Sequence, residues 1–459
     1  MKLFQQSDAT SSKVIGQELY GFAAELYPIC RSITGEGLRK TLRMIQRRIP
    51  LQIFEVPSGS AVLDWTVPKE WNIRDAYIKD SSGRRVVDFQ KCNLYVLNYS
   101  VPIHATMLLS EIKPHLFSLP EHPDWIPYRT SYYKEDWGFC LTHRQLLSLP
   151  EGNYEVRIDS TLANGSLSYG EYFLPGRSNE EILISCHSCH PSLANDNLSG
   201  LAVATGLADR LGQHPSDLRY SYRFLFLPGT IGAVAWLARN RQAASRIRHG
   251  LVLTCIGDKA PFHYKKSRLG NAEIDRAMAH VLTHLADRPE ILEFSPYGYD
   301  ERQYCSPGFN LPVGCLMRSV WGTFPEYHTS ADNLEFIEPQ SLAESLCVCM
   351  NLVELLENNR RYRNLNPFGE PQLGRRGLYG STGGSCVTDE INARLWVLNL
   401  SDGSYSLLDI AERSGLTFSL VRDAADLLRE SGLLEPVRDT SDYQEIAGQR
   451  SREKGAPTP

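Results

Sequence analysis

The segment SCHSCHPSLANDNLSG, residues 185–200, places two histidines, two cysteines and one aspartate in one short stretch. Imidazole nitrogens and carboxylate oxygens are ligands that zinc accepts, and a catalytic zinc site keeps one coordination position open. His187, His190 and Asp196 therefore predict a metal site. The alternative is that one of the two histidines has only a structural role.

Cys186 and Cys189 form a Cys-x-x-Cys pair in the same segment. Such a pair is compatible with redox chemistry, although the neighbouring histidines and aspartate weaken that interpretation, and it is equally compatible with simple packing. The chain has eleven cysteines, an odd number, and several lie inside apolar runs. This pattern favours free thiols in a reducing compartment over a disulfide framework.

The elements around this segment must hold it at the edge of a sheet. The run EILIS before it predicts a buried strand, and LSGLAVATGLADRLG after it predicts an amphipathic helix. From about residue 170 to 360, strand and helix patterns alternate, which predicts an α/β fold whose mostly parallel sheet is covered by helices on both faces. Ligands of such folds bind just beyond the carboxyl ends of the strands, where His187, His190 and Asp196 fall.

Changes in composition divide the chain into segments. Residues 1–59 and 166–365 are predicted to form the α/β domain, which is interrupted by a β-rich insertion over 60–165, where Pro, Trp and Tyr are dense. The Gly-rich stretch 366–384 predicts a linker, and the composition of 446–459 is typical of a disordered tail.

Composition and charge narrow the functional classes. Hydrophobic residues make up 42% of the 459 residues and charged residues 22%, as in ordinary globular proteins, and the net charge of −5 argues against a general nucleic-acid binder. The N-terminus lacks an apolar core of signal-peptide length, and the longest apolar stretch is too short for a membrane span. These features predict a cytoplasmic protein without membrane association.

Five longer motifs resemble those of a known family. They are DWTVPKEWNIRDAYI, IPYRTSYYKEDWGFCL, CHPSLANDNLSG, DERQYCSPGFNLP and EYHTSADNL. Together they resemble the DUF4910 (earlier DUF2172) aminopeptidase-like proteins of the M28-type zinc peptidase clan, over about residues 10–445. The resemblance implies a zinc-exopeptidase-like α/β domain, a small inserted domain and a C-terminal winged helix.

The same resemblance assigns metal ligands residue by residue. His187 takes the place of the first metal histidine, Asp196 that of the bridging carboxylate, and His328 that of the last histidine. Three such ligands and a water describe a site for one zinc ion. His190 is either an alternative ligand or a residue that orients one of the ligands.

Three positions depart from the pattern of M28 enzymes. There, the strand corresponding to FLFLPG leads into a general-base glutamate and then a metal-binding glutamate, whereas this chain has Gly229 and Thr230. Thr254 stands where those enzymes have another metal carboxylate, and Asp258 is a candidate for partial replacement. One metal ion, or a weakly held one, is therefore expected.

A proton acceptor must then come from elsewhere in the chain. The segment YGYDERQY aligns with a loop that faces the metal in M28 enzymes, which makes Asp300 and Glu301 candidate catalytic residues. Glu301 is assigned the weaker role of substrate contact or substitute base. The alternative is that these carboxylates are ordinary surface groups.

Two further groups are candidates for substrate binding. Tyr264, Lys265 and Arg268 in FHYKKSR resemble a loop of the family, and an arginine binds carboxylate or phosphate through two parallel hydrogen bonds. A solvated basic turn is the alternative. The insertion supplies candidate pocket walls whose alternative is a place in the core: Tyr132, Tyr133 and Trp137.

Residues 385–445 show the rhythm of helices, turn and strand that is typical of a winged helix. Its third helix, TFSLVRDAADLLRES, would be the recognition helix of a DNA-binding version, and contact with phosphates needs a positive face. The helix carries more acidic than basic residues: Arg422, Arg429, Asp423, Asp426 and Glu430. This favours docking or homo-oligomerisation, through the winged helix or the insertion, over nucleic-acid binding.

The sequence thus predicts a zinc-dependent aminopeptidase-like or amidohydrolase-like enzyme that acts on an amide or related C–N bond of a small peptide-like or amino-acid-derived substrate. The replaced base favours a biosynthetic tailoring or cyclising step over ordinary aminopeptidase activity. A catalytically inactive peptidase-like scaffold or binding protein is the alternative, and a winged-helix DNA-binding regulator is less favoured.

Overall fold

The computed structural model describes residues 9–378 and 388–437. The chain forms two compact units, Met1–Leu352 and Val353–Pro459. Part of the predicted linker, residues 379–384, and all of the predicted tail, residues 446–459, lie outside the described residues.

The first unit contains most of the strands and helices. Its strands are β1 Gln52–Pro57, β2 Ala61–Val62, β3 Trp65–Thr66, β4 Glu70–Lys79, β5 Arg85–Asp88, β6 Ile103–Leu108, β7 Leu116–Phe117, β8 Phe139–Cys140, β9 Asn153–Ala163, β10 Ser166–Leu174, β11 Glu181–His187, β12 Ser221–Leu227, β13 Ile247–Leu253, β14 His263–Lys265, β15 Glu290–Leu292 and β16 Val313–Met317. Its helices are α1 Ala9–Leu26, α2 Glu36–Gln46, α3 Leu109–Ile112, α4 His143–Ser148, α5 Gly200–Gly212, α6 Ile231–Arg239, α7 Arg241–Ala244, α8 Glu273–Leu285, α9 Glu301–Tyr304 and α10 Pro339–Asn358, the last of which continues into the second unit.

A sheet of eight strands forms the centre of the first unit, in the order β1-β10-β12-β11-β13-β16-β14-β15. The four central strands β12, β11, β13 and β16 are parallel. The strand β10 is antiparallel to both β1 and β12, and β14 is antiparallel to β16 but parallel to β15. Every residue of β11 and β12 is buried, as expected for apolar strands covered on both faces. Because the central strands are parallel, their carboxyl ends meet at one edge of the sheet.

The insertion forms a separate sheet of four antiparallel strands, in the order β5-β4-β9-β6. Along β9, buried and partly exposed side chains alternate from Tyr154 to Ser160, because one face of the strand packs on the core. The hairpin of β2 and β3 precedes this sheet, and β10 returns the chain to the central sheet.

The second unit contains the helices α11 Asp389–Leu400, α12 Leu407–Ser414 and α13 Phe418–Glu430. Its sheet has the order β18-β17-β19, formed by β17 Arg361–Asn364, β18 Asp402–Ser406 and β19 Leu434–Pro436. The sequence analysis assigned residues up to 365 to the α/β domain, whereas β17 pairs with β18 and β19 of the C-terminal sheet. Only Tyr362 of this short polar strand is buried, so the strand shows little hydrophobic pattern.

Within the described ranges, no helix is both long enough and apolar enough to cross a membrane.

Candidate metal centre

The candidate metal centre lies at the carboxyl edge of the central sheet. His187 is the last residue of β11, and the chain then passes through the turn Ala194–Ser199 before α5 begins at Gly200. A single strand-to-helix connection thus delivers His187, His190 and Asp196 to this edge, which is the usual place for ligands in α/β sheets.

Three imidazoles surround the carboxylate of Asp196. Nε2 of His187 lies 2.7 Å from Oδ1, and Nε2 of His328 lies 3.0 Å from Oδ2. Nδ1 of His190 lies 3.2 Å from the same Oδ2. The ligand atoms of His187, His190 and Asp196 all lie within 4.8 Å of one another, close enough to bind one metal ion. The structure therefore brings together all four residues that the sequence analysis proposed as ligands or ligand partners.

The electrostatics of this cluster favour neutral His187 and His328 beside an ionised Asp196. Burial lowers the pKa of His187 and of His328, and the charge of Asp196 only partly opposes this. Burial by itself would raise the pKa of Asp196, but His190 and His187 outweigh it and hold that pKa well below its usual range. Neutral imidazole and ionised carboxylate are the forms that bind metals.

Groups outside the cluster hold Asp196 in place. Asp332 accepts hydrogen bonds from the backbone amides of Asn195 and Asp196, at 2.6 and 2.9 Å. The side-chain amide of Asn197 donates to the backbone carbonyl of Leu253 at 2.9 Å, and its nitrogen lies 3.3 Å from Nδ1 of His187. Such partners orient metal ligands.

Tyr299 contacts both Asp196 and His187 directly. Its hydroxyl donates to Oδ2 of Asp196 at 2.8 Å and lies 2.5 Å from the hydroxyl of Tyr327. The ring of Tyr299 stacks on that of His187, with centroids 4.3 Å apart. The sequence analysis singled out none of Tyr299, Tyr327, Asp332 and Asn197, although each lies within one to four residues of a proposed site residue.

The insertion fixes the loop that carries His328. The backbone amide of Tyr128 donates to the carbonyl of His328 at 2.7 Å, and the amide of Ser330 donates to the carbonyl of Ile126 at 2.8 Å. These bonds hold His328 at φ 56°, a conformation that is uncommon for a residue with a bulky side chain. The edge of the Tyr128 ring packs on His328, and the two residues lie 200 positions apart in the chain.

Cys186 and Cys189 are free thiols, and both are buried. Burial raises the pKa of Cys186 well above its usual value and that of Cys189 to about 12. Because the thiolate is the reactive form, this environment favours the packing role over the redox role.

Gly229 lies close to both His187 and the carboxyl group of Asp300. A Cβ atom at this position would lie 3.1 Å from Cβ of His187 and 3.6 Å from Oδ1 of Asp300. Asp300 is completely buried, and neither of its oxygens has a hydrogen-bond partner among the described residues. Burial raises the pKa of Asp300 to about 8, with Glu301 adding to the effect and Arg302 opposing it. An unpartnered buried carboxyl is costly, so its retention next to the cluster needs a cause.

Glu301 is as deeply buried as Asp300 but is paired. Its Oε1 accepts a hydrogen bond from Nζ of Lys265 at 2.7 Å. Lys265 donates in addition to the carbonyl of Tyr297, also at 2.7 Å. Lys265 and Glu301 therefore form a buried ion pair, whereas the carboxyl group of Asp300 has no hydrogen-bond partner among the described residues.

The threonines at the positions of the missing carboxylates have local partners. Oγ1 of Thr230 accepts from Gln303 at 3.4 Å, and Oγ1 of Thr254 donates to Sγ of Cys255 at 3.6 Å. Asp258 accepts from the side-chain amide of Asn195 at 2.6 Å and from the backbone amide of Ala260 at 2.7 Å. Asp258 thus supports the Asp196 turn through Asn195.

The other proposed substrate contacts have partners within the fold. The fully buried hydroxyl of Tyr264 donates to Asp275 at 2.9 Å. Arg268 donates to Asn310 at 2.6 Å on the exposed surface. A role for Tyr264, Lys265 and Arg268 in binding substrate stays a prediction.

The donor set of the cluster fits a single zinc ion. Two or three neutral imidazoles and one carboxylate are the nitrogen and oxygen ligands that zinc prefers. A second dication would need further carboxylates, and threonine hydroxyls stand at two of those positions, Thr230 and Thr254.

Several solved structures of other proteins have a fold similar to that of this chain. Solved structures with similar folds include a zinc aminopeptidase from Bacillus subtilis, with a TM-score of 0.52 and 12% identity, covering 74% of this chain and 94% of that one. A peptidase M28 precursor from Shewanella amazonensis also has a TM-score of 0.52 and 12% identity, covering 76% and 96%. At such identity the likeness concerns the fold alone, and it confirms the predicted class: a peptidase-like α/β protein.

Matches to two family models identify the family of this chain. Residues 20–359 match the model of DUF4910, described as a domain of unknown function, and residues 360–436 match a winged helix-turn-helix family. The chain belongs to the DUF4910 family, which confirms the predicted resemblance and the C-terminal winged helix. The match of the winged helix begins at the residue before β17.

A relative from Clostridium acetobutylicum is 52% identical over 429 residues, which cover 93% of this chain and 98% of the relative. It carries the provisional name polysaccharide biosynthesis protein with aminopeptidase-like domain. A crystal structure from the same organism, provisionally named a peptidase, has a TM-score of 0.89 and 50% identity, covering 93% of this chain and 98% of that one.

Proposed function

We propose that the chain is a zinc-dependent enzyme that cleaves an amide or related C–N bond of a small peptide-like or amino-acid-derived substrate. The observation that carries the proposal is the convergence of His187, His190 and His328 on the buried carboxylate of Asp196. A carboxylate and several imidazoles converging on one point are the donor groups that a catalytic zinc ion requires.

Zinc in this site would supply a positive charge that polarises the substrate carbonyl. The chain's own residues have to orient the substrate and move protons. In hydrolysis, the oxygen of a water molecule forms a bond to the carbonyl carbon, and the C–N bond breaks. One proton of the water must pass to the leaving nitrogen, so a group near the cluster must accept a proton and return it.

Asp300 is the group that we assign to this proton transfer. It is buried, has no partner among the described side chains, and lies close to Gly229, which also neighbours His187. Its pKa of about 8 lies close to neutral pH, where a carboxyl group can both release and recover a proton. Glu301 is held by Lys265, which supports a positioning role for Glu301.

We extend the proposal to a biosynthetic tailoring step on a small molecule, because the Clostridium acetobutylicum relative is named for polysaccharide biosynthesis. Nucleic acid is a weaker candidate as partner. In α13, Arg422 is buried and paired with Glu354 and Asp423, and Arg429 is paired with Asp426 at 3.1 Å. This pairing leaves little positive charge for contact with phosphates.

The test is metal analysis of the purified full-length chain, followed by a screen of N-acyl amino acids, amino-acid amides and dipeptides. We expect about one zinc ion per chain after dialysis, and turnover that is lost on chelation and restored by zinc. His328→Ala should lower the zinc content at least about tenfold, whereas His104→Ala, a change in the inserted sheet, should leave it unchanged. A folded wild-type chain that binds no divalent metal would establish the scaffold alternative instead.

A further inference from the structure

A pocket opens where the insertion meets the α/β domain, beside the metal centre. The insertion contributes three aromatic residues, Trp65, Tyr132 and Tyr133, and the α/β domain contributes Gly229 together with Ile231 and Val234 of α6. Its volume is about 180 Å³. The pocket is thus built jointly by two segments of the first unit.

Gly229 joins the pocket to the candidate active site. It lines the pocket, and a Cβ atom built on it would lie 3.1 Å from Cβ of His187 and 3.6 Å from Oδ1 of Asp300. The pocket, His187 and Asp300 are therefore all neighbours of Gly229.

The lining determines which chemical group fits. Among the described residues that line the pocket, none carries a charged side chain, so a charged group would lose its hydration without compensation. The hydroxyl of Tyr132 is already 2.9 Å from that of Tyr128. An apolar cavity of about 150 Å³ is sufficient for one benzene molecule, so this pocket has room for a single six-membered ring.

The aromatic wall is held in a costly conformation. Tyr133 has φ 62° although it is bulky and not glycine, and its side chain remains 53% exposed. Its ring lies 5.5 Å from that of Trp65, which is 48% exposed at the tip of the β2–β3 hairpin. Strain combined with exposed aromatic surface points to a ligand contact, because neither feature stabilises the free protein.

We propose that this pocket binds an uncharged six-membered ring of the substrate, aromatic or pyranose, and so positions the scissile bond near the candidate metal centre. The inference rests on the proposed function and specifies which substrates the site accepts. Both kinds of ring present a flat apolar face that stacks on Trp and Tyr side chains.

Binding of four probes to the full chain, measured by isothermal titration calorimetry in zinc-loaded and chelated protein, tests the proposal. The probes are L-phenylalanine amide, N-acetyl-D-glucosamine, the ring-free L-alanine amide and the charged L-glutamate amide. At least one of the two ring probes should bind about tenfold or more tightly than L-alanine amide, and which one does so identifies the ring. Equal affinities, or tightest binding of the charged probe, would overturn the proposal.

A pair of glycine variants separates ligand contact from a structural role. Tyr133→Gly should weaken binding of the preferred ring about fivefold or more, while the urea midpoint stays the same or rises because glycine adopts φ 62° without strain. Leu63→Gly is the matched control. Leu63 lies in the β2–β3 hairpin, has φ 55° and is 44% exposed, but it does not line the pocket. Removal of its side chain should therefore change the affinity less than about twofold. Unchanged affinity in Tyr133→Gly would remove the assignment.

The two proposals can fail separately. A chain that holds no zinc and cleaves no amide, yet binds the ring probe in chelated form, retains the pocket assignment and loses the enzyme assignment. Zinc-dependent turnover that is equally efficient with ring-bearing and ring-free substrates retains the enzyme assignment and overturns the pocket.

Discussion

Asp300 beside the candidate metal centre and Arg422 in the C-terminal unit are both buried ionisable residues, but their surroundings differ. Arg422 has two acidic partners, Glu354 and Asp423, as is usual for a buried ion. Asp300 has no hydrogen-bond partner for either oxygen among the described residues. Burying an unpartnered carboxyl costs stability, and a paired arginine avoids that cost. The difference indicates that Asp300 is kept for a ligand or a proton, whereas Arg422 holds its own unit together.

The largest expected effect is on turnover. Asp300→Asn keeps the shape of the side chain but cannot accept the proton, so kcat should fall about 100- to 1,000-fold while zinc content stays at the wild-type value. Glu301→Gln is the control. It breaks the ion pair with Lys265 and should lower stability by about 3 kcal/mol with a much smaller change in kcat. Steady-state kinetics on the best substrate from the screen give kcat for the two variants, and metal analysis gives their zinc content. Equal losses of kcat in the two variants would contradict the assignment.

The next effect is a pH dependence of stability. Asp300 ionises near 3.8 in the unfolded chain and near 8 in the folded chain. The folded state therefore keeps a proton that the unfolded state releases. The stability associated with the neutral carboxyl is fully present below about pH 3.8 and is lost progressively as the pH rises through about 8.

Asp300→Asn replaces the titrating carboxyl with a group that does not titrate. The free energy of unfolding of the variant should therefore rise relative to that of the wild type, by about 2 kcal/mol or more, between about pH 5 and pH 8. Urea unfolding of both chelated proteins, followed by tryptophan fluorescence, measures the gap. Asp332, whose pKa burial also raises to about 8, affects both proteins alike and cancels in the comparison. A gap that stays constant from pH 5 to 9 would show that Asp300 is ionised or has a partner in the folded protein.

The smallest effects concern the C-terminal unit. Arg422→Met should destabilise its transition in differential scanning calorimetry by about 1–3 kcal/mol, because it leaves Glu354 partly buried without its partner. Arg429→Met removes an exposed pair on the same helix and should cost less than about 0.5 kcal/mol. If instead Arg422→Met were neutral for stability and abolished salt-sensitive binding of duplex DNA, the structural role assigned to Arg422 would be wrong.

Parts of the site could be predicted from sequence because they are local. His187, His190 and Asp196 lie in one strand-to-helix connection, so their spacing and the α/β pattern were sufficient to bring them together. His328 was found only through the resemblance to a family, since no spacing rule joins it to Asp196 across 132 residues.

Other parts depend on packing that no local pattern encodes. Asp300 and Glu301 are adjacent, and Glu301 is the one of the two that pairs with Lys265, which lies 36 residues away along the chain. The contact of the insertion with the histidine loop joins Ile126 to Ser330, 204 residues apart. The boundary of the winged helix was placed too late because β17 buries one side chain only and resembles a loop in sequence. In each case the decisive partner is distant along the chain.

The backbone pairing of Ile126 and Tyr128 with Ser330 and His328 ties the insertion to the proposed metal ligand, His328. A chimera that exchanges residues 60–165 with those of a distant relative would keep its central sheet and still misplace one imidazole, unless the histidine loop were exchanged with it. Within a lineage, these two stretches should therefore be inherited as a pair, and recombination between them should be selected against even where the ligands themselves are unchanged.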